Sequence, residues 1–123
     1  MPTVIFPLSY LQRLTDTAPQ RLVEQAFHYG LEATLGDDFL AVEVTAERPD
    51  LLSAEGFTRA INIYDGISRS VPERLEASGL KVNLDPQVTA LRPHIAALVV
   101  EDAHLKDGGL EVFIQFQEKV TQT

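Results

Sequence analysis

A strand, a tight corner and a helix are predicted for residues 39–67, and this unit constrains the fold more than any other part of the sequence. Leu40, Val42 and Val44 alternate with small or polar residues, and a period of two is typical of a half-buried strand. Pro49 lacks a backbone N–H and keeps the residue before it out of the helical region. The strand must therefore end by about Pro49, where the chain turns a corner.

The residues after the corner predict a helix. Asp50 and Ser53 are both good N-cap residues, and Glu55 would lie in the first turn, where the helix dipole favours a negative charge. The apolar residues that follow recur at helical spacing and form one stripe: Phe57, Ala60, Ile61 and Tyr64. Such a stripe needs a partner surface. We expect it to pack on the inner face of the strand.

Two short helices are predicted before this unit. Ser9 with Gln12, and Thr17 with Gln20, have the spacing of a capping box. The second helix should end at Gly30, since glycine is favoured just past a helix C-terminus. The residues expected on its inner face are Leu22, Val23, Ala26 and Phe27.

Three other segments are predicted as strands or extended chain. Residues 4–6 are a short apolar entry, and residues 80–84 alternate apolar with polar side chains, as a half-buried strand does. Residues 95–100 read IAALVV, and a continuous apolar run is typical of a strand buried on both faces. The sequence therefore predicts a mixed α+β fold.

The order of these elements predicts two parts. Residues 1–70 would form a helix–helix–strand–helix module, residues 71–78 a polar linker, and residues 79–123 the first strands and a helix of a second α+β domain. The apolar residues of that last helix are Leu110, Phe113, Ile114, Phe116 and Val120. Its broad apolar face is either core within one chain or an interface for residues outside it.

Composition excludes several classes of protein. The chain has 123 residues, the usual size of a single domain, and 45% of them are hydrophobic. It has no cysteine, which excludes disulfides and thiolate metal sites and suits a reducing cytoplasm. We find neither an apolar window of about 18 residues nor a secretory signal, so no membrane association is expected. The net charge is −8, and direct nucleic-acid binding by this chain is not expected.

One acidic segment is a candidate metal site. Glu101, Asp102, His104 and Asp107 lie close together in the sequence, and carboxylates with an imidazole can bind a divalent cation. The alternative, which we favour, is an ordinary turn after a buried strand. The histidines lie on different elements, and no serine has the context of a nucleophile elbow. We therefore assign no catalytic, cofactor-binding or metal-binding residue to the chain.

The corner itself is a possible interaction site. Arg48 and Asp50 flank Pro49 and would be placed to contact a partner subunit. In the local alternative, Asp50 caps the helix and Arg48 pairs with an acidic neighbour such as Glu47 or Glu43. We favour the local interpretation because cap residues occur at nearly every helix start, and keep Arg48, Pro49 and Asp50 as a possible interaction corner.

Three ordered segments resemble one family. Residues 42–61, VEVTAERPDLLSAEGFTRAI, resemble the strand, Arg-Pro-Asp corner and helix of the β subunit of phenylalanyl-tRNA synthetase, which more often has Asn at the position of Glu47. The opening residues 1–4, and residues 91–96 followed by residues 114–119, are similar to the archaeal and eukaryotic type of that subunit, in the same order. The resemblance touches both ends and the middle of the chain.

This resemblance implies a scaffolding role. The family's β subunit is far longer, joins an α subunit that holds the aminoacylation site, and hydrolyses tyrosine mischarged onto tRNA. Its editing pocket lies mostly in later sequence, so residues 79–123 would be only the first part of an editing-type domain. The family enzyme uses ATP and magnesium, but no cofactor is expected in this chain. It would be a cytoplasmic N-terminal fragment or truncated relative, with no complete active site.

A second hypothesis comes from a different class. The chain would be a stand-alone binding or regulatory module that covers its apolar faces by self-association. The second part offers few strands for a stable sheet, and a twofold homodimer is the commonest closed solution.

Overall fold

The computed structural model of the chain describes residues 2–69, 74–105 and 107–122. The chain divides into two compact units, Met1–Ser70 with Leu105–Thr123, and Val71–His104. The first unit contains every strand that the structure describes.

The elements mix helices with one small sheet. In chain order they are β1 (Thr3–Pro7), α1 (Leu8–Leu14), α2 (Pro19–Tyr29), β2 (Glu32–Leu35), β3 (Phe39–Glu43), a 3-10 helix (Pro49–Leu52), α3 (Ala54–Tyr64), α4 (Pro86–Thr89) and α5 (Gly109–Gln122). A three-stranded antiparallel sheet with helices confirms the predicted α+β class. None of the helices in the described residues has the length and apolarity needed to cross a membrane.

β3 is the central strand and pairs with β1 on one side and β2 on the other. Leu40 and Val42 of β3 are fully buried, as are Phe6 and Val4 opposite them on β1. The alternation predicted for β3 is therefore confirmed. The sequence pattern misses β2, because its four residues give a period of two too little length to be recognised.

α3 packs on the sheet through β1, whereas the prediction named the strand of Leu40, Val42 and Val44 as its partner. Phe57 stacks on Phe6 of β1, with ring centroids 5.4 Å apart and an interplanar angle of 28°. Phe57 and Ile61 are both fully buried. The prediction for Tyr64 is wrong: its side chain is 52% exposed, because it lies in the last turn of the helix, against Tyr29 instead of the sheet.

The predicted inner face of α2 is partly wrong. Leu22 and Ala26 are buried, but Phe27 is 74% exposed. The third buried residue of this helix is Gln25, at 3% exposure. Gln25 lies three residues after Leu22, whereas Phe27 follows Ala26 by a rotation of about 100° that carries it off the buried stripe.

Helix ends follow some of the predicted signals. Gly30 ends α2 in a left-handed conformation with φ 94°, and its N–H bonds back to helix carbonyl oxygens. The hydroxyl oxygen of Ser53 caps α3 by accepting a hydrogen bond from the N–H of Gly56 at 3.0 Å. The prediction for Gly30 is confirmed, and of the two cap candidates, Asp50 and Ser53, the structure selects Ser53. The two capping boxes are wrong, because Ser9 lies inside α1, Thr17 lies before the N-cap of α2, and neither helix has a side-chain cap.

The second unit contains a single short helix, α4, among its described residues. Asp85 caps this helix by accepting a hydrogen bond from the N–H of Gln87 at 2.8 Å. The strands predicted for residues 80–84 and 95–100 are wrong, since the described part of this unit forms no strand and Leu98 is 78% exposed. Two strands alone rarely make a stable sheet. An apolar sequence pattern is therefore not enough to form a strand when a third strand or a packed helix is missing.

α5 belongs to the first unit and covers the outer edge of β1 at Ile5. The N–H of Ile5 donates to Gln115 Oε1 at 2.8 Å, and Gln115 Nε2 donates to the carbonyl oxygen of Ile5 at 2.7 Å. Backbone groups on the outer side of an edge strand have no ladder partner. The side-chain amide of Gln115 therefore takes the place of a neighbouring strand at Ile5. The helix predicted at the end of residues 79–123 lies in the first unit.

α3 and the 3-10 helix come into very close contact at Gly56. A Cβ atom at this position would lie 1.8 Å from the carbonyl oxygen of Asp50, far inside van der Waals contact. Leu51 and Leu52 of the 3-10 helix are 0% and 2% exposed, so the 3-10 helix is held in the core and cannot move aside without disturbing it. Only glycine fits here.

We predict that Phe57→Ala lowers the free energy of unfolding by about 3–5 kcal/mol, as large-to-small changes in a core do. Phe27→Ala is a matched control, because the same substitution on an exposed side chain should change stability by within about 0.5 kcal/mol. Urea denaturation followed by circular dichroism measures both. Equal effects of the two substitutions would show that the Phe6–Phe57 contact is not part of the core.

We also predict that Gly56→Ala destabilises the protein by about 1–3 kcal/mol, the usual range for overpacking. Gly109→Ala, in the first turn of α5, is the control, since a Cβ there would meet its nearest neighbour at 3.6 Å. That variant should be as stable as the natural chain or more stable by up to about 1 kcal/mol. A Gly56→Ala variant of unchanged thermal midpoint would contradict the close approach of α3 to the 3-10 helix.

Candidate interaction site

The corner places Arg48 and Asp50 at the surface while its apolar residues are anchored in the core. Arg48 has φ −121° and ψ 60°, a non-helical conformation that suits a residue before proline. Asp50 is exposed and Arg48 is half-buried, whereas Leu51 and Leu52 are buried. The charged side chains of the corner therefore project from a well-packed base.

Arg48 and Asp50 form a bidentate ion pair. Arg48 Nε donates to Asp50 Oδ1 at 2.9 Å, and Arg48 Nη2 donates to Asp50 Oδ2 at 2.8 Å. Two parallel N–H···O bonds fix the plane of the guanidinium. The cap in the local prediction is wrong, because Ser53 and not Asp50 caps α3. Arg48 does pair with an acidic neighbour, but that neighbour is Asp50 and not Glu47 or Glu43.

Two tyrosines extend the corner into a larger site. Arg48 Nη1 donates to the hydroxyl oxygen of Tyr29 at 2.9 Å, and the guanidinium carbon lies 5.4 Å from the centroid of the same ring. Tyr64 meets Tyr29 edge-to-face, with ring centroids 5.4 Å apart. Tyr64 also donates from its hydroxyl to the carbonyl oxygen of His28 at 3.3 Å. α2, α3 and the corner are thus linked by side chains at the surface.

These residues surround a groove of about 340 Å³. We call it the corner groove, and its lining residues are Tyr29, Arg48, Asp50, Gly56, Arg59, Ala60, Ile63 and Tyr64. Ile63 is 37% exposed and Tyr64 is 52% exposed, so an apolar wall faces solvent beside the charged corner. The sequence placed Arg48 and Asp50 here, but it did not predict that three segments of the chain enclose a groove.

The charges of the corner groove stabilise one another. The hydrogen bonds from Arg48 lower the pKa of Asp50, and the positive charge of Arg59 acts in the same direction. The hydrogen bonds to Asp50 and Tyr29 raise the pKa of Arg48. The ion pair is therefore intact above the ordinary aspartate pKa of about 3.9, and it is lost only as the pH falls through the lowered pKa of Asp50. Both residues are charged near neutral pH.

Two further cavities lie among the described residues. A cavity of about 220 Å³ lies between the start of α3 and α5, with Glu55 in its lining. The hydroxyl of Tyr10 donates to Glu55 Oε1, which raises the pKa of Tyr10 to about 12. In the second unit, a wide cavity of about 960 Å³ is lined by residues of both charge signs and by the two segments predicted as strands.

The acidic segment considered as a metal site is not assembled as one. Within residues 2–69, 74–105 and 107–122, no three His, Asp or Glu side chains are grouped as metal ligands. Asp107 instead holds α1: Arg13 Nη1 donates to the carbonyl oxygen of Asp107 at 3.0 Å, and Arg13 Nη2 lies 3.7 Å from its carboxylate. His104 is exposed.

The residues missed by sequence reasoning come from neighbouring helices. Arg59 and Ile63 lie on α3, and Tyr29 lies on α2. One signal was available for Tyr29, because it follows Leu22 and Ala26 by seven and three residues and so continues their stripe. The sequence holds no comparable signal for the meeting of α2 with the corner, since that contact depends on how the helices pack.

Comparisons with known proteins agree on one family. No protein-family model matches the chain. The chain is similar to the phenylalanine–tRNA ligase β subunit of Methanocorpusculum labreanum, with 30% identity over 98% of this chain and 23% of that protein. It is also similar to the phenylalanine–tRNA ligase β subunit of Halorubrum lacusprofundi, with 32% identity over 100% of this chain and 22% of that protein. The chain therefore spans less than a quarter of the length of these relatives.

The fold gives the same result. A crystal structure of an N-terminal fragment of the phenylalanyl-tRNA synthetase β subunit from Pyrococcus horikoshii matches with a TM-score of 0.72 and 24% identity, over 99% of this chain and 38% of that fragment. At this identity the match shows a shared fold. Sequence and fold together confirm the resemblance, and the chain is a relative of the β subunit of phenylalanyl-tRNA synthetase that spans less than a quarter of that subunit's length.

Proposed function

We propose that the chain acts as a scaffolding module at the N-terminal side of a phenylalanyl-tRNA synthetase β subunit, supporting phenylalanine–tRNA ligation and editing without an active site of its own. The observation that carries this proposal is the extent of the match: nearly all of this chain aligns with 23% of a phenylalanine–tRNA ligase β subunit. The aminoacylation and editing chemistry of such an enzyme would then belong to other parts of the assembly. ATP, magnesium and tRNA would be bound there.

The charge of the chain supports a protein partner over a nucleic acid. At a net charge of −8, long-range electrostatics oppose the approach of a polyanion, and a synthetase α subunit is the partner that the family resemblance suggests. A cytoplasmic location suits this role and the lack of cysteine.

The packing of α5 supports a structural role as well. Gln115 ties α5 to β1 through both backbone groups of Ile5, and Arg13 of α1 holds the segment just before this helix. The first unit therefore fixes the position of a helix that lies late in the sequence. Such an arrangement suits a module that orients the domains connected to it.

A chimera tests the proposal. The segment of the Methanocorpusculum labreanum β subunit that aligns with this chain is replaced by the 123 residues and co-expressed with the α subunit of that organism. We expect the chimera to assemble with the α subunit and to charge tRNA with phenylalanine, whereas deletion of the segment abolishes assembly. The chimera carrying Phe57→Ala, which weakens the core, should assemble less well.

Two results would contradict the proposed function. A chimera that assembles no better than the deletion would refute the scaffolding role. Aminoacylation or deacylation of tyrosyl-tRNA by the isolated 123-residue chain would refute the absence of an active site.

A self-associating module is the second candidate function, and the outer face of α5 favours it. Leu110, Phe113 and Ile114 recur at helical spacing and are 54%, 45% and 45% exposed. Exposed apolar patches of this kind usually mark interfaces. Two copies of the chain would cover the face by pairing their α5 helices about a twofold axis.

Light scattering at micromolar concentration tests the second candidate. A dimer should have twice the mass of the 13.6 kDa chain, and Phe113→Asp should return it to a monomer, because a charge in an apolar interface is costly. Phe27→Asp is the matched control, since Phe27 is exposed on α2, and this variant should remain dimeric. A monomeric mass for the natural chain would refute self-association.

A further inference from the structure

We propose that the outer edge of β2 binds an extended, basic segment of a partner protein as a fourth strand of the sheet. β2 pairs with β3 on one side, and on its other side it has no neighbouring strand among the described residues. We call this outer side, formed by Glu32–Leu35, the β2 edge. The inference goes beyond the scaffolding role, because it uses neither the corner groove nor the outer face of α5 and does not depend on the family.

The register of the sheet shows which backbone groups of β2 point outwards. The N–H of Gly36 donates to the carbonyl oxygen of Phe39 at 2.8 Å and closes the hairpin between β2 and β3. Bonded and non-bonded residue pairs alternate along an antiparallel ladder, so Thr34 is the next residue of β2 that bonds to β3. The N–H and C=O groups of Ala33 and Leu35 therefore point away from the sheet.

The opposite edge of the sheet shows how such groups are satisfied. Ile5 is an outward residue of β1, and the amide of Gln115 bonds to both its N–H and its carbonyl oxygen. Among the described residues, no side chain or strand does the same for Ala33 or Leu35. An unpaired row of backbone donors and acceptors is a template for another strand. The β2 edge thus offers hydrogen bonds that an extended peptide can complete.

Two carboxylates determine the charge of the strand that fits. Glu32 of β2 and Glu43 of β3 are register partners, so their side chains leave the same face of the sheet directly opposite each other. Like charges in this arrangement destabilise a sheet. Within the described part of the chain, neither carboxylate has an ion pair or a side-chain hydrogen bond. A lysine or arginine opposite Glu32 on an added strand would offset this repulsion.

Protection of the edge does not by itself account for the two carboxylates. A charged side chain on an edge strand discourages pairing with other copies, and Glu32 alone would supply that charge. Glu43 lies on the central strand, which has a neighbour on each side, so its charge protects no edge and only adds repulsion. The pair is better explained as a recognition site for a cation on the added strand.

The same charges argue against two other occupants. A second copy that paired its β2 with this β2 would bring the Glu32 side chains of both copies into one sheet, together with the exposed Asp37 and Asp38 of each turn. A nucleic acid has no peptide N–H groups to pair with the edge, and its phosphates would be repelled by the carboxylates. The chemistry therefore points to a basic segment of another protein.

The side chains of β2 define the pattern of the added strand. Ala33 and Leu35 pack against the core, and the residues opposite them would lie on the same side of the sheet. Those two residues should be apolar and β-branched. The residues at the two ends should be basic, one opposite Glu32 and one near Asp37 of the turn. The spacing predicts five residues that begin and end with a basic side chain.

A peptide titration of the full 123-residue chain tests the proposal. The probe is acetyl-Lys-Val-Thr-Val-Lys-amide, in which the valines lie opposite Ala33 and Leu35 when a lysine lies opposite Glu32. Nitrogen-15 NMR spectra report each backbone amide. We expect saturable shifts at the amides of Ala33 and Leu35, and slower exchange of both amide protons with solvent in the complex, because each gains a hydrogen bond.

Two control peptides separate charge from strand addition. In the first, both lysines are replaced by glutamate, which keeps the backbone and reverses the charge. In the second, both valine nitrogens are methylated, which removes the two N–H donors that face the β2 edge and keeps both lysines. Each control should bind about tenfold more weakly or worse, since the first loses the charge attraction and the second loses two hydrogen bonds.

Variants test the role of the two carboxylates. Glu32→Gln and Glu43→Gln should each weaken the lysine peptide about twofold to fivefold, the effect of one cross-strand charge pair. Each should also raise the thermal midpoint of the free chain by roughly 1–5 °C, because the repulsion is removed. Glu118→Gln is the matched control for net charge: Glu118 is exposed on α5, and peptide binding should be unchanged.

Several outcomes would overturn the proposal. Slow exchange of the Ala33 and Leu35 amides in the free chain would show that the edge is already paired. Equal binding of the lysine and glutamate peptides would refute the charge selection, and equal binding of the methylated peptide would refute strand addition. Shifts at the β2 edge that appear with rising protein concentration alone would assign the edge to a second copy. None of these measurements involves the α subunit, so their failure is distinguishable from failure of the chimera.

Discussion

The close approach of α3 to the carbonyl oxygen of Asp50 sets the geometry on which the first unit depends. A Cβ on Gly56 would lie 1.8 Å from that oxygen, so the helix can follow the 3-10 helix this tightly only with glycine. This approach aims Phe57 at Phe6, where the two rings stack 5.4 Å apart. It also places the outer face of α3 beside Arg48. The packing of the core and the shape of the corner groove therefore depend on the same contact.

The β1 edge of the sheet is covered by the side chain of Gln115 instead of another strand. β1 has β3 on one side only, and its outward backbone groups at Ile5 are bonded to Gln115. The amide of Gln115 uses one of its N–H groups as a donor and its Oε1 as an acceptor, so it can replace a neighbouring strand at a single residue. This contact joins positions that are 110 residues apart in sequence, and it connects the two ends of the chain.

The described residues of the first unit present two surfaces that suit the scaffolding role proposed above. In one surface an arginine is held by a carboxylate and a tyrosine, and charged hydrogen-bond groups fixed in this way provide specificity at interfaces. The exposed apolar face of α5 lies on another element of the same unit. A scaffolding module with one polar and one apolar contact surface is consistent with a chain that matches 23% of a phenylalanine–tRNA ligase β subunit.

The sequence by itself determined the local elements, because their signals lie within a few residues of one another. The alternation in β3, the break at Pro49 and the stop at Gly30 could all be predicted, as could the family from three ordered segments, whereas the sequence left the cap of α3 open between Asp50 and Ser53. The tertiary structure decided the rest. The apolar residues 95–100 form no strand without a third strand or a packed helix beside them. The turn of the 3-10 helix determines which acidic residue pairs with Arg48. The groove and the Gln115 contact join distant residues, and such contacts depend on packing that no local pattern encodes.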